Sequence, residues 1–364
     1  MVKSFVPDML PLEGLDHRRL IGLVGQANAE LARYDGLLQQ GVFDPEVMLS
    51  PLTTQEAVLS SRIEGTQATL DEVLEHEAGD LKQGEKGQDI QEIINYRTAL
   101  SSACLVLDEQ PITLALVRQS HRMLMDSVRG EDKSPGEFRL DQNWIGRPGS
   151  PIQEATFVPP SPLVMQEHLE RWEAYLRGDD IDVLVQLAIV HAQFELIHPF
   201  KDGNGRIGRL LVPLFLYQKR ALSSASFYLS GYLEAHRDAY YGRLRAISDS
   251  GDWDGWISFF LEAVREQARD NGDRVRRLLE LYEEMKSEIV QLSRSQYALA
   301  TLDALFRRPV FQTSEFVQRS AIPKQTALPL LLKLRRAGIL EQSRPASGRR
   351  AAILTFPRLL AIVE

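Results

Sequence analysis

The sequence predicts a mainly α-helical protein with one β-hairpin and a small basic C-terminal unit. Three observations carry this. Apolar residues recur at spacings of three and four through seven stretches, 20–38, 90–107, 114–125, 164–176, 183–197, 210–217 and 256–289, the period of a helix with one buried face. Residues 139–158 break that period. The charge changes sign near residue 297.

The stretches are separated by turn chemistry: SPGEF at 134–138, RPGSP at 147–151, PPSP at 159–162 and DGNG at 202–205. Residues 81–88 are polar and carry glycine, so they are expected to form a loop. Between the helices, RLDQNWIGRPGSPIQEATFV places short β-prone pieces around a Pro/Gly turn, which reads as a β-hairpin flap closed by Pro159 and Pro160. Beyond residue 290 the order is helix (297–306), short helix (313–319), turn (321–323), helix (325–337, stopped at Gly338) and two strands. That is the order of a winged helix-turn-helix. The expected division is an N-terminal helical region, 1–110, a core with the flap, 111–290, and the winged helix, 291–364.

Composition narrows the class. The 364 residues are 44% hydrophobic and 25% charged, as in ordinary globular proteins. No apolar run approaches the roughly 20 residues of a membrane span, and the first residues, MVKSFVPDMLPLEG, lack the apolar core of a secretory signal. Cys104 is the only cysteine, so no intrachain disulfide can form, which fits a reducing cytoplasm; it is expected in the core. The net charge is −8, yet residues 297–364 carry eleven Lys/Arg against four Asp/Glu. A basic C-terminal unit on an acidic body fits a nucleic-acid or acidic-protein partner, or a solvated basic surface.

The densest local signal is His198-Pro199-Phe200-Lys201-Asp202-Gly203-Asn204-Gly205-Arg206-Ile207-Gly208-Arg209. It lies between two apolar helices. A Gly/Asn-rich loop that feeds a helix N-terminus offers backbone N–H groups and a positive dipole end to an anion. Gly203 and Gly205 are expected to supply positive φ. Arg206 and Arg209 are three apart and can reach the same phosphates. Asp202 is a hard oxygen ligand suited to Mg²⁺ beside phosphates, and His198 can accept a proton from a hydroxyl. No GK[ST] follows, so this is not a P-loop.

This stretch resembles the Fic (Fido) family signature HPFx[DE]GNGRxxR at all nine specified positions. The resemblance implies a Fic-fold helical core and transfer of AMP from Mg·ATP to a Tyr, Thr or Ser hydroxyl of a protein. It implies His198 as general base and Asp202 as Mg²⁺ ligand. It gives Gly203, Asn204 and Gly205 to the phosphate cradle and Arg206 and Arg209 to the outer phosphates. The 139–158 flap would pin the target segment by strand pairing, with Ile145 over the adenine. Arg237-Asp238-Ala239-Tyr240-Tyr241-Gly242-Arg243-Leu244 looks like the family's adenine-pocket helix, with Tyr240, Tyr241 and Leu244 as its wall.

Upstream, Thr53-Thr54-Gln55-Glu56 reads as a capping box that starts a helix. That helix is expected to stop at Gly65, so Glu64 meets the negative dipole end, where a carboxylate is unfavourable without a cation. Ser60-Ser61-Arg62-Ile63-Glu64-Gly65 matches the family's inhibitory motif [ST]xxxE[GN], N-terminal to the core as in the second class of the family. By that resemblance Glu64 pairs with Arg209 and keeps it from the γ-phosphate.

Other readings stay open at this stage. One is removal of AMP, or transfer of another phosphate-bearing group, on the same site. Another is an ATP-sensing DNA-binding regulator, with Lys324, Lys333, Arg335 and Arg336 on or before the third helix and Arg344, Arg349 and Arg350 in the wing. Self-modification and a homodimer are also left open, as is whether the winged helix takes DNA or protein.

Overall fold

The computed structural model describes residues 4–40, 45–128, 133–147, 149–346 and 351–364. Among these the helices in chain order are α1 (His17–Gln40), α2 (Pro45–Ile63), α3 (Leu70–Glu77), α4 (Gly84–Leu107), α5 (Leu114–Leu124), α6 (Pro162–Arg177), α7 (Val183–Ile197), α8 (Asn204–Gln218), α9 (Ser230–Ala235), α10 (Arg237–Ser250), α11 (Trp253–Ser293), α12 (Ala298–Arg307), α13 (Thr313–Arg319), α14 (Lys324–Arg336) and α15 (Pro357–Val363). The strands are β1 (Val310–Gln312), β2 (Glu341–Arg344) and β3 (Ile353–Thr355). All seven apolar-periodic stretches are helical, to within one residue at Met125. Two compact units interleave along the chain. The first holds the described parts of residues 1–35, 59–65 and 95–269; the second holds those of 36–58, 66–94 and 270–364.

In the first unit α7 is the buried axis. Its sequence, VLVQLAIVHAQFELI, is apolar on every side, and only Val183 and Glu195 are not buried, the pattern of a helix enclosed by others. Asp182 caps its start by accepting from the Leu184 and Val185 N–H groups. Two fully buried tryptophans donate to its carbonyls, Trp172 Nε1 to Val190 at 2.8 Å and Trp256 Nε1 to Ala188 at 2.8 Å. The His198–Gly203 loop joins α7 to α8, and these two helices make the most extensive helix contact in the unit.

The 139–158 region departs from the expected hairpin. Among its described residues it holds one antiparallel bridge, Ile145 with Phe157, and a 3₁₀ turn at Ile152–Glu154. Pro151, Pro159 and Pro160 have no N–H to extend a ladder. Side chains close its base instead: Gln142 Nε2 donates to Pro159 O at 3.0 Å and Arg139 Nη2 to Pro160 O at 2.6 Å.

Two further expectations change. Residues 84–88 are helical, because α4 begins at Gly84 with Glu85 in its first turn, where a carboxylate meets the positive helix end. Thr53 is not an N-cap. α2 runs through Pro51, and the Thr53 and Thr54 hydroxyls donate back to Leu49 O and Ser50 O within the helix. The capping box belongs to Thr69 and Glu72, at the start of α3.

In the second unit the strands form an antiparallel sheet in the order β1-β3-β2, with Phe311 and Gln342 both opposite Leu354. The expected helices and hairpin are present. β1 and α15 are additional, and both are short: three residues after Pro309, and seven started by Pro357. Arg344 lies on β2 and pairs with Asp80 at 2.6 Å; Arg349 and Arg350 lie outside the described residues. Cys104 is half-buried, not in the core.

Removing an enclosed aromatic from the axis of the first unit tests this packing. Trp256→Ala should cost about 3–5 kcal/mol of stability, since it opens a cavity and removes the indole N–H that Ala188 O accepts beside its own helical bond. Urea denaturation of both proteins measures it, and a loss below about 1 kcal/mol would contradict the enclosed role.

Candidate active site

The loop after α7 begins with a constrained residue. His198 is the C-cap of α7 in the left-handed region, φ 49° and ψ 61°, a conformation that disfavours a non-glycine residue. It is held from outside. The Arg139 side chain donates from Nε to His198 O at 2.9 Å, and the Arg139 backbone N–H donates to Pro199 O at 2.9 Å. His198 Nδ1 lies 3.2 Å from Glu195 O. A carbonyl only accepts, so Nδ1 carries the hydrogen and Nε2 carries the lone pair. Burial first, with Arg139 adding to it, lowers the imidazole to about 4 against the opposing pull of Glu64 and Asp202. His198 is therefore neutral, with an open basic nitrogen, at physiological pH.

Downstream, Gly203 supplies the positive φ, 76°. Asn204 closes the loop on itself: its Oδ1 accepts from Phe200 N–H at 2.8 Å and its Nδ2 donates to Phe200 O at 2.9 Å. Its amide thus shapes the loop. His121, fully buried on α5, clamps the other side. Its Nδ1 accepts from Gly136 N–H at 2.8 Å, which leaves Nε2–H to donate to Asp202 O at 2.9 Å, and its ring stacks on Phe200 at 3.8 Å. Burial lowers it to about 4, so this neutral tautomer persists. The Asp202 carboxylate is half exposed. Its Oδ1 accepts from Gly203 N–H and faces Arg206 Nη2 at 3.5 Å.

Arg209 is 1% exposed and fully engaged with the end of α2. Nε donates to Ser60 Oγ at 2.9 Å, and Nη2 donates to Ser60 O at 2.9 Å and to Glu64 Oε1 at 2.6 Å. The ion pair is single-pronged, with Ser60 taking the remaining contacts. Glu64 follows the last helical residue and keeps 35% of its side chain exposed. Burial pushes its carboxyl up, but Arg209, Arg206 and His198 outweigh this and hold it below the ordinary value. Gly65 follows with φ 101°. Arg237, paired with Glu234 at 2.8 Å, donates to Arg62 O and so holds the same helix end.

Gly205 does not have the expected positive φ. It lies in the first turn of α8, and its requirement is space: a Cβ there would stand 2.1 Å from Glu64 Oε1 and 2.9 Å from Arg209 Nη1. Gly208 meets the same constraint, with a Cβ falling 2.2 Å from Glu195 Oε1. Burial pushes the Glu195 carboxyl up to about 8, so it is protonated at pH 7. Of the two carboxyls around Arg209, Glu64 is the one that is charged.

Comparison with known proteins follows the same map. Residues 21–104 match the Fic/DOC family N-terminal model and residues 111–216 the Fic/DOC family model. A "Probable protein adenylyltransferase" of Aquifex aeolicus is 31% identical over 242 residues, covering 61% of this chain and 70% of that protein. The chain belongs to the Fic/DOC family. A protein adenylyltransferase of Aedes aegypti is 28% identical over 183 residues, 48% of this Fic protein but 32% of the insect protein's length. A Fic family protein from Desulfovibrio desulfuricans shares the fold over 98% of both chains, with a TM-score of 0.60 at 20% identity.

Other residues singled out from this Fic protein's sequence lie as follows. Tyr240 is 1% exposed, and its hydroxyl donates to His191 Nε2 at 2.9 Å, inside a cluster with Trp256. Leu244 is also buried. Tyr241 and Ile145 are 44% and 41% exposed. His121, Arg139 and Glu195 were not singled out, and Arg237 was named within the adenine-pocket segment without a role of its own. For Glu195 the signal was present, a lone carboxylate in an otherwise apolar helix; the others read as ordinary surface or core positions.

Two outcomes test the Glu64 contact. In Gly205→Ala the new methyl displaces Glu64. Glu64→Gln should therefore cost about 1–2 kcal/mol in the parent but close to nothing on the Gly205→Ala background, by urea denaturation of the four proteins; equal costs would contradict the contact. The pH dependence has a definite sign. Because the folded carboxyl is lowered, its stabilisation is fully present above the unfolded value of about 4.3 and is lost as pH falls through the folded value. The gap between parent and Glu64→Gln should be constant from pH 7 to 5 and close below that.

Proposed function

We propose that this chain transfers AMP from ATP to a hydroxyl side chain of a protein, and that Glu64 restrains the transfer by occupying Arg209. The observation that carries the reading is the grouping around one loop: a neutral His198 with an open Nε2, two buried arginines on the following helix, and a carboxylate from α2 on the second of them. Relatives named protein adenylyltransferases support the same activity.

In this reading His198 Nε2 takes the proton of the target hydroxyl. The oxygen bonds to the α-phosphorus, the bond from that phosphorus to the bridging oxygen breaks, and pyrophosphate leaves. Arg206, Arg209 and the N–H groups at the start of α8 hold the phosphates. Tyr241, the exposed member of the expected wall, and Ile145, exposed on the flap, cover the adenine. The donor set fits Mg²⁺: Asp202 gives one hard, half-exposed carboxylate, both of whose hydrogen-bond and ion-pair contacts fall on Oδ1, and Mg²⁺ asks for one or two carboxylates beside phosphates. When bound, it neutralises phosphate charge. The 139–158 excursion, more than half of whose described residues are exposed, presents the target segment by strand pairing.

The C-terminal helices and sheet read as a winged helix. α14 exposes Lys324, Lys333, Arg335 and Arg336, which support a nucleic-acid partner, and also Leu328 and Leu332, which support a protein. No helix among the described residues is long and apolar enough to cross a membrane.

Incubation of Glu64→Gly protein with labelled ATP and a cell lysate tests the activity. α-Phosphate label should enter protein while γ-phosphate label does not. His198→Ala on the same background should lower the rate about 10²–10⁴-fold with ATP affinity, by calorimetry, little changed. Incorporation of γ-label, or rapid incorporation without His198, would contradict the mechanism.

A further inference from the structure

Arg139 is among the most buried charged residues described, at 1% exposure. Burial lowers its guanidinium to about 10, so it remains a cation at neutral pH. A buried cation ordinarily demands an anion, yet among the described residues no carboxylate pairs with it. Its hydrogen bonds go to backbone carbonyls. Nε donates to His198 O at 2.9 Å, Nη2 to Pro160 O at 2.6 Å and to Ile197 O at 3.3 Å, and Nη1 to Asp141 O at 3.3 Å.

These four acceptors belong to two structures. Ile197 O and His198 O are terminal carbonyls of α7, left without intrahelical donors, where the helix dipole also favours a cation. Asp141 O and Pro160 O are the two roots of the 139–160 excursion. The Arg139 N–H to Pro199 O bond and the Asn143 Nδ2 bond to Phe200 O at 3.1 Å tie the same two structures. The contacts meet at His198, whose left-handed backbone needs outside support. A planar fork with five fixed donors can serve all four carbonyls. A lysine ammonium, with three donors at one point, cannot.

We propose that Arg139 is a positioning residue that fixes the His198 turn and locks it to both roots of the 139–160 excursion, so that the proton acceptor and the segment that presents the target keep one geometry. This rests on the transfer reading above. It adds a requirement that the base and the docking segment be registered to each other by one side chain that touches neither ATP nor the target.

The test uses Arg139→Lys on the Glu64→Gly background, which keeps the charge and loses the fork. The turnover rate should fall at least about tenfold while the KM for ATP stays within about twofold. Hydrogen exchange should quicken at 139–145 and at 197–200 together. Turnover within twofold of the Glu64→Gly parent overturns the proposal, because a role in charge or bulk alone would be met by lysine. If the Glu64→Gly parent incorporates no label, the transfer reading fails, and the exchange measurement decides on Arg139 separately. If the lysine variant does not fold, the unmutated protein decides. The Arg139 and His198 amides should exchange in one slow class; a fast Arg139 amide beside a protected α7 end overturns the lock.

Discussion

Arg209 has one guanidinium and two demands upon it. It sits on the first turns of α8, where phosphates are expected, yet every contact described for it runs to Ser60 and Glu64. The surrounding structure is shaped by that contact. Gly205 is small because a methyl would collide with Glu64. Burial keeps Glu195 protonated, so it does not compete with Glu64 for the charge. Arg237 holds the carbonyl of Arg62, which fixes the end of α2 from the opposite side. The pair is single-pronged and its carboxylate is one-third exposed, so its strength resides as much in this enclosure as in the salt bridge.

Three positions that break local rules stand beside the loop. They are His198, a non-glycine residue in the left-handed region, Arg139, a buried arginine without an anion among the described residues, and Glu195, a half-buried carboxyl whose Oε1 is enclosed without a hydrogen-bond partner. Each is supported by neighbours that would otherwise have no need of it. Such conflicts persist only when the surroundings over-determine them, and they gather where geometry serves chemistry.

Much of this was legible in sequence. The 3.6-residue period located the long helices, and the twelve residues from His198 to Arg209 located the loop, because glycine, arginine and carboxylate have few reasons to occur together at that spacing. Other features were hidden for physical reasons. Thr53 and Glu56 have the spacing of a capping box, but α2 already runs through Pro51 and Thr53, and the capping box that forms is that of Thr69 and Glu72. Three prolines reduced the expected hairpin to one bridge. β1 is too short for a period-two test. Gly205 looked like a turn residue because sequence cannot distinguish a need for positive φ from a need for space. Arg139 and His121 act on backbone carbonyls distant in sequence, which no motif records.

The central claim is that Glu64 restrains the site through Arg209. The most direct measurement is the initial rate of AMP incorporation for the parent, Glu64→Gly, Arg209→Ala and the double variant. Because Ser60 still holds Arg209 when Glu64 is gone, the account expects Glu64→Gly to gain about 10–100-fold, equivalent to about 1.4–2.7 kcal/mol, and Arg209→Ala to cancel that gain. Equal rates for the parent and Glu64→Gly, or a gain that survives the loss of Arg209, would contradict it.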